Sequence, residues 1–332
     1  MLELVRRRDD TPETMLESIE RRIGILGLDL RGLKVVTEAA TGAYASTAVI
    51  AALAGARVHA CARHASRHGS AAEAIAATRQ LAGQAGVGDR IIFSDVVSAP
   101  VLRGCDILTN SGRLRPITAD MVGLLSPRAV IALMFEAWEF RGADLDLAAC
   151  RKRGVRVAAV NERHADVAVF SFLGPLLVCL LRDAGMIAAG KRIAVLCDNP
   201  FADYLLAGLT EAGAHASLFP GVPALPWGRW DAVVLSLLPK EEPLGHDGLA
   251  AIAARAPDAL LAQFWGDVDR GAASALGLRL CPRAEPGRGH MGILLNRLGH
   301  EPIVRLQAGS LKAAEMVWRG VAPEKDGIAS LL

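Results

Sequence analysis

The sequence has 332 residues, and at a typical domain size of about 150 residues it has room for two domains. With 52% hydrophobic and 22% charged residues it can bury a core, which excludes disorder as its main state. Lys and Arg total 37 against 35 for Asp and Glu, leaving +2 with no block of either sign, so the basic stripe of a general nucleic-acid binder is absent.

The first thirty residues read as an amphipathic helix. Thr11 and Pro12 offer a cap, and Met15, Ile19, Ile23 and Leu26 recur at helical spacing. From Leu33 onward, short apolar runs at 34–39, 57–62, 90–93, 106–109, 129–134 and 155–160 alternate with helical patterns at 46–54, 71–85, 118–125 and 145–153. Uniformly apolar strands separated by helices predict a parallel sheet covered on both faces, and six of them suffice for a doubly wound dinucleotide domain.

Residues 166–183 predict one long apolar helix bent at Gly174-Pro175. The alternation then restarts, with strands at 192–197, 215–219, 231–235, 259–263 and 278–281 and helices at 202–212, 248–254 and 270–275. Three prolines make 220–226 a loop, and 303–320 reads as a closing helix that returns to the first domain. The expected fold is therefore α/β, with two doubly wound parallel-sheet, Rossmann-like domains joined by a long helix. The predicted boundaries are an N-terminal helical segment at 1–30, a dinucleotide-binding domain at 31–165, a linking helix at 166–189, a second Rossmann- or flavodoxin-like domain at 190–302 and a C-terminal helix at 303–332.

The six cysteines are scattered without a C-x-x-C pair, which fits buried thiols in a reducing compartment better than disulfides or a zinc site, and no metal is expected. The start, Met1 to Asp10, carries charges where a signal peptide needs an apolar stretch. The longest uncharged apolar run, 167–181, is 15 residues, short of the roughly 18 that cross a bilayer. A cytoplasmic protein without membrane or nucleic-acid partners is expected, with a homodimer as one possible assembly.

In open parallel sheets ligands bind beyond the carboxyl ends of the strands. After the first strand come Thr41, Gly42, Ala43, Tyr44 and Ser46, leading into a helix whose amides suit a phosphate. Only Gly42 survives of a glycine fingerprint, and an ordinary tight turn explains the same residues. The second strand ends at Arg63, followed by Ser66 and Arg67. An acidic side chain there would hold the ribose hydroxyls of NAD, whereas guanidinium and hydroxyl donors suit the 2′-phosphate of NADP. A solvated basic loop is the plainer alternative. Asn110, Ser111 and Gly112 close the fourth strand and allow close approach near the nicotinamide, or simply make a turn.

Glu136 and Glu139 lie beside Phe135, Trp138 and Phe140, where desolvation raises a carboxyl pKa. Glu162 and His164 follow the sixth strand and are candidate proton-transfer groups, although Asp166 nearby suits helix capping. In the second half Asp198 ends a strand beside Asn199-Pro200, and His290 sits in the glycine-rich stretch Gly287 to Gly292, loose enough to close over a ligand. No H-E-x-x-H, G-x-S-x-G or Walker sequence is present.

The stretch from Leu145 through Leu147-Ala148-Ala149 and Arg153-Gly154 to Asn161 resembles the D-2-hydroxyacid dehydrogenases, where a similar helix and strand lead to an asparagine and a long interdomain helix. Gly190 to Leu196 is similar to the opening of that family's coenzyme domain. The resemblance covers about Asp144 to Phe219, and where the family carries its glycine fingerprint this chain has Cys197-Asp198-Asn199-Pro200-Phe201. The first domain, through Thr41-Gly42 and Arg63, is the better nucleotide host, an arrangement similar to methylene-tetrahydropterin dehydrogenases with their glycine-poor loop. The expectation is an NADP(H)-dependent oxidoreductase, with NAD the less favoured cofactor, acting on a small polar metabolite in an interdomain cleft. Two alternatives are a nucleotide-sugar or other group transferase using the Asp198 helix start and the 287–292 loop, and a dehydrogenase relative that has lost its cofactor and only binds ligand.

Overall fold

A computed structural model describes residues 13–63, 69–322 and 327–332. Two compact units result: Met1–Ala168 with Gly299–Leu332, and Val169–Leu298.

The first helix, α1 (Met15–Leu26), is capped not by Thr11 and Pro12, which lie outside the described residues, but by Thr14. Its side chain accepts from the Glu17 amide while Glu17 reaches back to the Thr14 amide, a reciprocal capping box. There follow β1 (Lys34–Glu38), α2 (Ser46–Leu53), β2 (Arg57–Cys61), α3 (Ala71–Gln84), β3 (Ile91–Ser94), α4 (Ala99–Arg103), β4 (Ile107–Asn110), α5 (Ala119–Leu124), β5 (Val130–Leu133), α6 (Leu147–Arg153) and β6 (Arg156–Val160). The central strands β1, β4, β5 and β6 are almost wholly buried, as in a parallel sheet covered on both faces, whereas the edge strand β3 exposes Ile92.

The expected 166–183 helix is interrupted. Ala168 takes a left-handed φ of 48°, residues Phe170–Phe172 make a single tight turn, and the regular helix α7 spans only Leu173–Asp183. Pro175 falls in its first turn, where its missing N–H costs nothing; it starts the helix rather than bending it. The second unit continues with β7 (Arg192–Cys197), α8 (Ala202–Glu211), β8 (His215–Phe219), β9 (Ala232–Ser236), α9 (His246–Arg255), β10 (Leu260–Trp265), α10 (Arg270–Ala275) and β11 (Arg279–Cys281). The last helix, α11 (Glu301–Trp318), and a short strand β12 (Ala329–Leu331) belong to the first unit.

The first sheet has seven strands in the order β12-β6-β5-β4-β1-β2-β3. All neighbours are parallel except β12, which runs antiparallel along β6 with Ala329 opposite Val160. Without that edge strand, the order is the 3-2-1-4-5-6 of a dinucleotide domain. One face is filled by Leu108, Leu114, Ile131, Leu133, Val157 and neighbours; α11 lies against β5 and β6 on the sheet and beside α1 and α2.

The second sheet, β11-β10-β9-β7-β8, is wholly parallel. Its order, with β7 between β8 and β9, is the 2-1-3-4-5 flavodoxin-like pattern. Here α7 and α8 approach through glycines: a Cβ on Gly174 would stand 2.7 Å from the Gly208 Cα. Among the described residues no helix is long and apolar enough to cross a membrane, and no group of three or more His, Cys, Asp or Glu is arranged to hold a metal ion.

Candidate functional site

In the first sheet the strand order reverses between β1 and β4, the place where ligands bind in doubly wound folds. The turn leaving β1 passes Thr41, which is exposed, and Gly42, whose φ of 58° suits glycine and whose missing Cβ faces open space. Residues Gly42–Ala45 wind one tight turn into α2, and its leading amides have no intrahelical acceptor. Ala43 and Tyr44 are half-buried. Burial and the nearby Glu38 carboxylate push the Tyr44 hydroxyl up to about 12, against the pull of Arg115. Ser46, the first residue of α2, is fully buried, and its hydroxyl has no partner among the described residues.

The spacing Ala40-x-Gly42-x-x-Ala45 carries small residues at the three fingerprint positions, a pattern that counting glycines alone misses. Both polar main-chain groups of Ala40 are taken by the Thr78 hydroxyl at 2.9 Å, which ties the turn to α3.

At the end of β4, Asn110 and Ser111 are buried and Gly112 is half-buried. A hydroxyl chain runs from Thr37 to Thr109 at 2.8 Å and on to Ser111 at 2.9 Å. Arg115 Nε donates to the Asn110 main-chain oxygen and to its Oδ1, at 2.9 and 3.0 Å. Arg115 Nη1 stands 3.4 Å from Asp144, and its guanidinium lies 5.1 Å from the centre of the Phe135 ring. Arg141 also faces Phe135, at 5.4 Å, and pairs with Asp144 at 2.7 Å. Burial lowers Arg115 to about 10 although Asp144 opposes the shift.

Residue type and spacing do not single out three members of this group: Glu38, Arg113 and Arg115. Glu38 is buried, Arg113 N donates to its Oε2 at 2.9 Å, and desolvation raises its carboxyl. Arg113 is itself buried and donates to the Arg63, Gly69 and Ser70 carbonyls, locking the segments that flank 64–68. A charge ending an apolar strand and two arginines straight after Asn-Ser-Gly are the signals that could have found them.

Arg63, the expected 2′-phosphate ligand, donates to the Leu114 carbonyl at 3.3 Å. No carboxylate pairs with it among the described residues. Ser66 and Arg67 lie outside the described residues.

A second group forms where β5 and β6 end. Glu136 Oε1 accepts from the Glu162 amide at 2.8 Å and from Arg163 Nε at 3.2 Å, while Oε2 accepts from Trp138 and from Arg163 at 3.1 Å. Glu139 has a buried Oε1 without a partner among the described residues. Burial, then the Glu136 charge, raises Glu139 to about 8. Glu162 is raised well above the carboxylate range by burial and by both neighbours. His164 serves the turn instead: its Nδ1 accepts from the Asp166 amide at 3.2 Å, and its carbonyl accepts from Val167 and Ala168.

Asp198 and His290 belong to the second unit. Asp198 Oδ1 accepts from the Leu238 amide at 2.8 Å, and the neighbouring Asn199 Nδ2 donates to the Ser236 carbonyl at 2.6 Å, so the two bind the β7 turn to the end of β9. The 287–292 stretch is no loose flap. The Gly289 amide donates to both Asp267 oxygens at 2.9 and 3.1 Å, its carbonyl accepts from Trp265 at 3.1 Å, and the Gly292 amide donates to Phe264 at 2.8 Å. A Cβ on Gly292 would collide with the Gln263 carbonyl at 1.9 Å. His290 rides on this pinned segment.

Solved structures share this architecture. A dipicolinate synthase polypeptide from Bacillus halodurans is 11% identical, with a TM-score of 0.54 over 89% of this chain and 99% of that one. Its counterpart in the dipicolinate synthase of Bacillus subtilis is 12% identical, with a TM-score of 0.53 over 89% and 100%. The NAD+-bound 3-phosphoglycerate dehydrogenase of Entamoeba histolytica is 10% identical, with a TM-score of 0.50 over 87% and 96%. The fold is similar to that of D-2-hydroxyacid dehydrogenase-like enzymes. No protein-family model matches the chain, and no curated protein matches it by sequence. The strand that resembled the opening of the family's coenzyme domain, β7, sits in the flavodoxin-ordered sheet, whereas the 3-2-1-4-5-6 order lies in the first unit.

Proposed function

We propose that the first unit binds a nicotinamide dinucleotide at the carboxyl edge of its seven-stranded sheet, and that the protein is an oxidoreductase for a small polar metabolite. The observation that carries this reading is the order reversal between β1 and β4, with a small-residue turn on one side and a buried polar cluster on the other. The turn fits the group: Gly42 is open to approach, the first amides of the tight turn are free to meet a pyrophosphate, and the Ser46 hydroxyl is an unused donor. Asn110, Ser111 and Gly112 lie across the switch point from it, toward the nicotinamide end.

Arg63 supports NADP over NAD. Its guanidinium has a single long hydrogen bond to a carbonyl and no carboxylate partner among the described residues, so a 2′-phosphate gains a charge-assisted pair without first breaking one. A bound nicotinamide supplies the hydride, and the chain supplies position and protons. Glu139, raised to about 8, retains a proton near neutrality, which suits it to donate one to a developing alkoxide or amine, and burial beside Glu139 and Glu136 pushes Glu162 in the same direction. His164 spends its Nδ1 on the Asp166 amide, and Asp198 and the segment bearing His290 fasten the second unit. The pinned 287–292 segment also removes the main support for a transferase reading.

Titration of the protein with NADPH and NADH, followed by calorimetry and nicotinamide fluorescence, tests the proposal. Saturable binding is expected with NADPH favoured, and Arg63→Ala should weaken NADPH about tenfold or more while leaving NADH unchanged. Absence of binding to either dinucleotide removes the redox reading, and an equal effect of Arg63→Ala on both removes the NADP assignment.

A further inference from the structure

The two strands at the switch point end side by side. Their register pairs Val35 with Ile107 and Val36 with Leu108, and the Thr37–Thr109 hydroxyl contact at 2.8 Å continues it. The next pair in that register is Glu38 and Asn110, both buried and on the same face of the pleat.

The Asn110 amide has a fixed orientation. Its Oδ1 and its own carbonyl both accept from Arg115 Nε, and a flipped amide would set N–H against N–H. Arg115 is held in turn by Asp144 at 3.4 Å and by the Phe135 ring. Asn110 Nδ2 is therefore aimed away from Arg115, and it is buried with no acceptor among the described residues. Glu38 presents the complementary half. Arg113 N binds its Oε2 at 2.9 Å, while Oε1 accepts no hydrogen bond from the described residues.

A donor fixed beside an acceptor matches a group that offers the reverse pair on one carbon. A ketone lacks the donor, and a carboxylate sets a second negative charge against Glu38. We propose that Glu38 and Asn110 recognise a primary carboxamide, whose oxygen accepts from Asn110 Nδ2 and whose NH2 donates to Glu38 Oε1, with Arg115 as the positioning residue that holds the Asn110 amide toward the ligand. The inference rests on the dinucleotide reading and assigns the nicotinamide carboxamide to this pair. Tyr44 lies within electrostatic reach of both Glu38 and Arg115, on the turn opened by Gly42.

The test compares three probes on the full chain by calorimetry: the amide dinucleotide, its 3-acetylpyridine analogue, which keeps the oxygen and loses the donor, and its nicotinic acid analogue. The wild type should prefer the amide to the acid by about tenfold or more, since a site built for a donor rejects a group lacking it. Glu38→Gln, which can donate as well as accept, should shrink that ratio to about twofold by improving acid binding. Asn110→Leu should weaken the amide and acetyl forms alike, and Arg115→Lys should copy Asn110→Leu without adding to it in the double variant. Unchanged circular dichroism and thermal midpoints keep these readings apart from misfolding. Failure of the wild type to bind any dinucleotide overturns the reading of the unit. Equal wild-type affinity for amide and acid, or a ratio unmoved by Glu38→Gln, overturns the carboxamide pair and leaves the dinucleotide site standing.

Discussion

Replacing Glu139 by glutamine isolates the cost of the carboxyl group gathered at the ends of β5 and β6. Its folded pKa is raised from 4.5 to about 8, first by burial and then by the Glu136 charge. A carboxyl with a raised folded pKa holds its proton more tightly in the folded chain, so its contribution to stability is complete below about 4.5 and is lost as the pH climbs to 8. At about 1.4 kcal/mol per pH unit, the 3.5-unit interval between those two values sets a ceiling near 5 kcal/mol. Part of this returns when Glu162 gives up or keeps its own proton in response, because the two carboxyls feel each other. The expected net gain for Glu139→Gln is about 2 kcal/mol or more at pH 8.5, shrinking to within about 0.5 kcal/mol of wild type at pH 5. Urea denaturation of both proteins across pH 5 to 9 measures it. Parallel stability profiles for the two proteins would show that Glu139 ionises like a solvated carboxylate and that no proton is stored there.

Two other sites give opposite and independent signals. Glu301, at the start of α11, binds Ser18, Arg21, Arg22 and Arg305, and these partners hold it at about 2 despite its burial. Its contribution is present above about 4.5 and lost as the pH falls through 2, so Glu301→Gln should cost about 2–3 kcal/mol at pH 7 and about a quarter of that at pH 2.5, read by denaturant melts. Gly174→Ala places a methyl 2.7 Å from the Gly208 Cα and 2.8 Å from the Tyr204 carbonyl. Backbone on both sides prevents relief, so a loss of about 2–4 kcal/mol is expected. A thermal midpoint within a degree of wild type would show that α7 and α8 separate freely.

The alternation of apolar runs and helical patterns carried the fold: β7, β8 and α10 span the residues expected, and most other elements differ by one or two at an end. The departures have local causes. Three residues of β12 after Gly327 are too few to make a pattern, and they become a strand only by pairing with β6. Residues 166–183 read as one helix because apolar composition is blind to φ, and the left-handed Ala168 breaks it. Thr11-Pro12 looks like a cap, yet Thr14 with Glu17 closes the reciprocal box.

The site was legible only as positions. Strand ends put the Gly42 turn, Arg63, Asn110 and Glu162 forward as candidates, because a parallel sheet places every strand's carboxyl end along one edge. Partners were not legible, since they come from register. Glu38 and Asn110 are 72 residues apart and become neighbours only when β1 pairs with β4. Arg115 reads as one of 37 basic residues until Asp144 and Phe135 fix it over Asn110. His164 and Asp198 show the converse. Each has the right residue type at a strand end, but a short-range or cross-loop amide already engages one of its two polar atoms. A polar side chain at a strand's carboxyl end is thus a ligand candidate in proportion to the hydrogen bonds its own fold leaves unmade, and by that measure Asn110 Nδ2, with the Ser46 hydroxyl, stands ahead of His164 and Asp198.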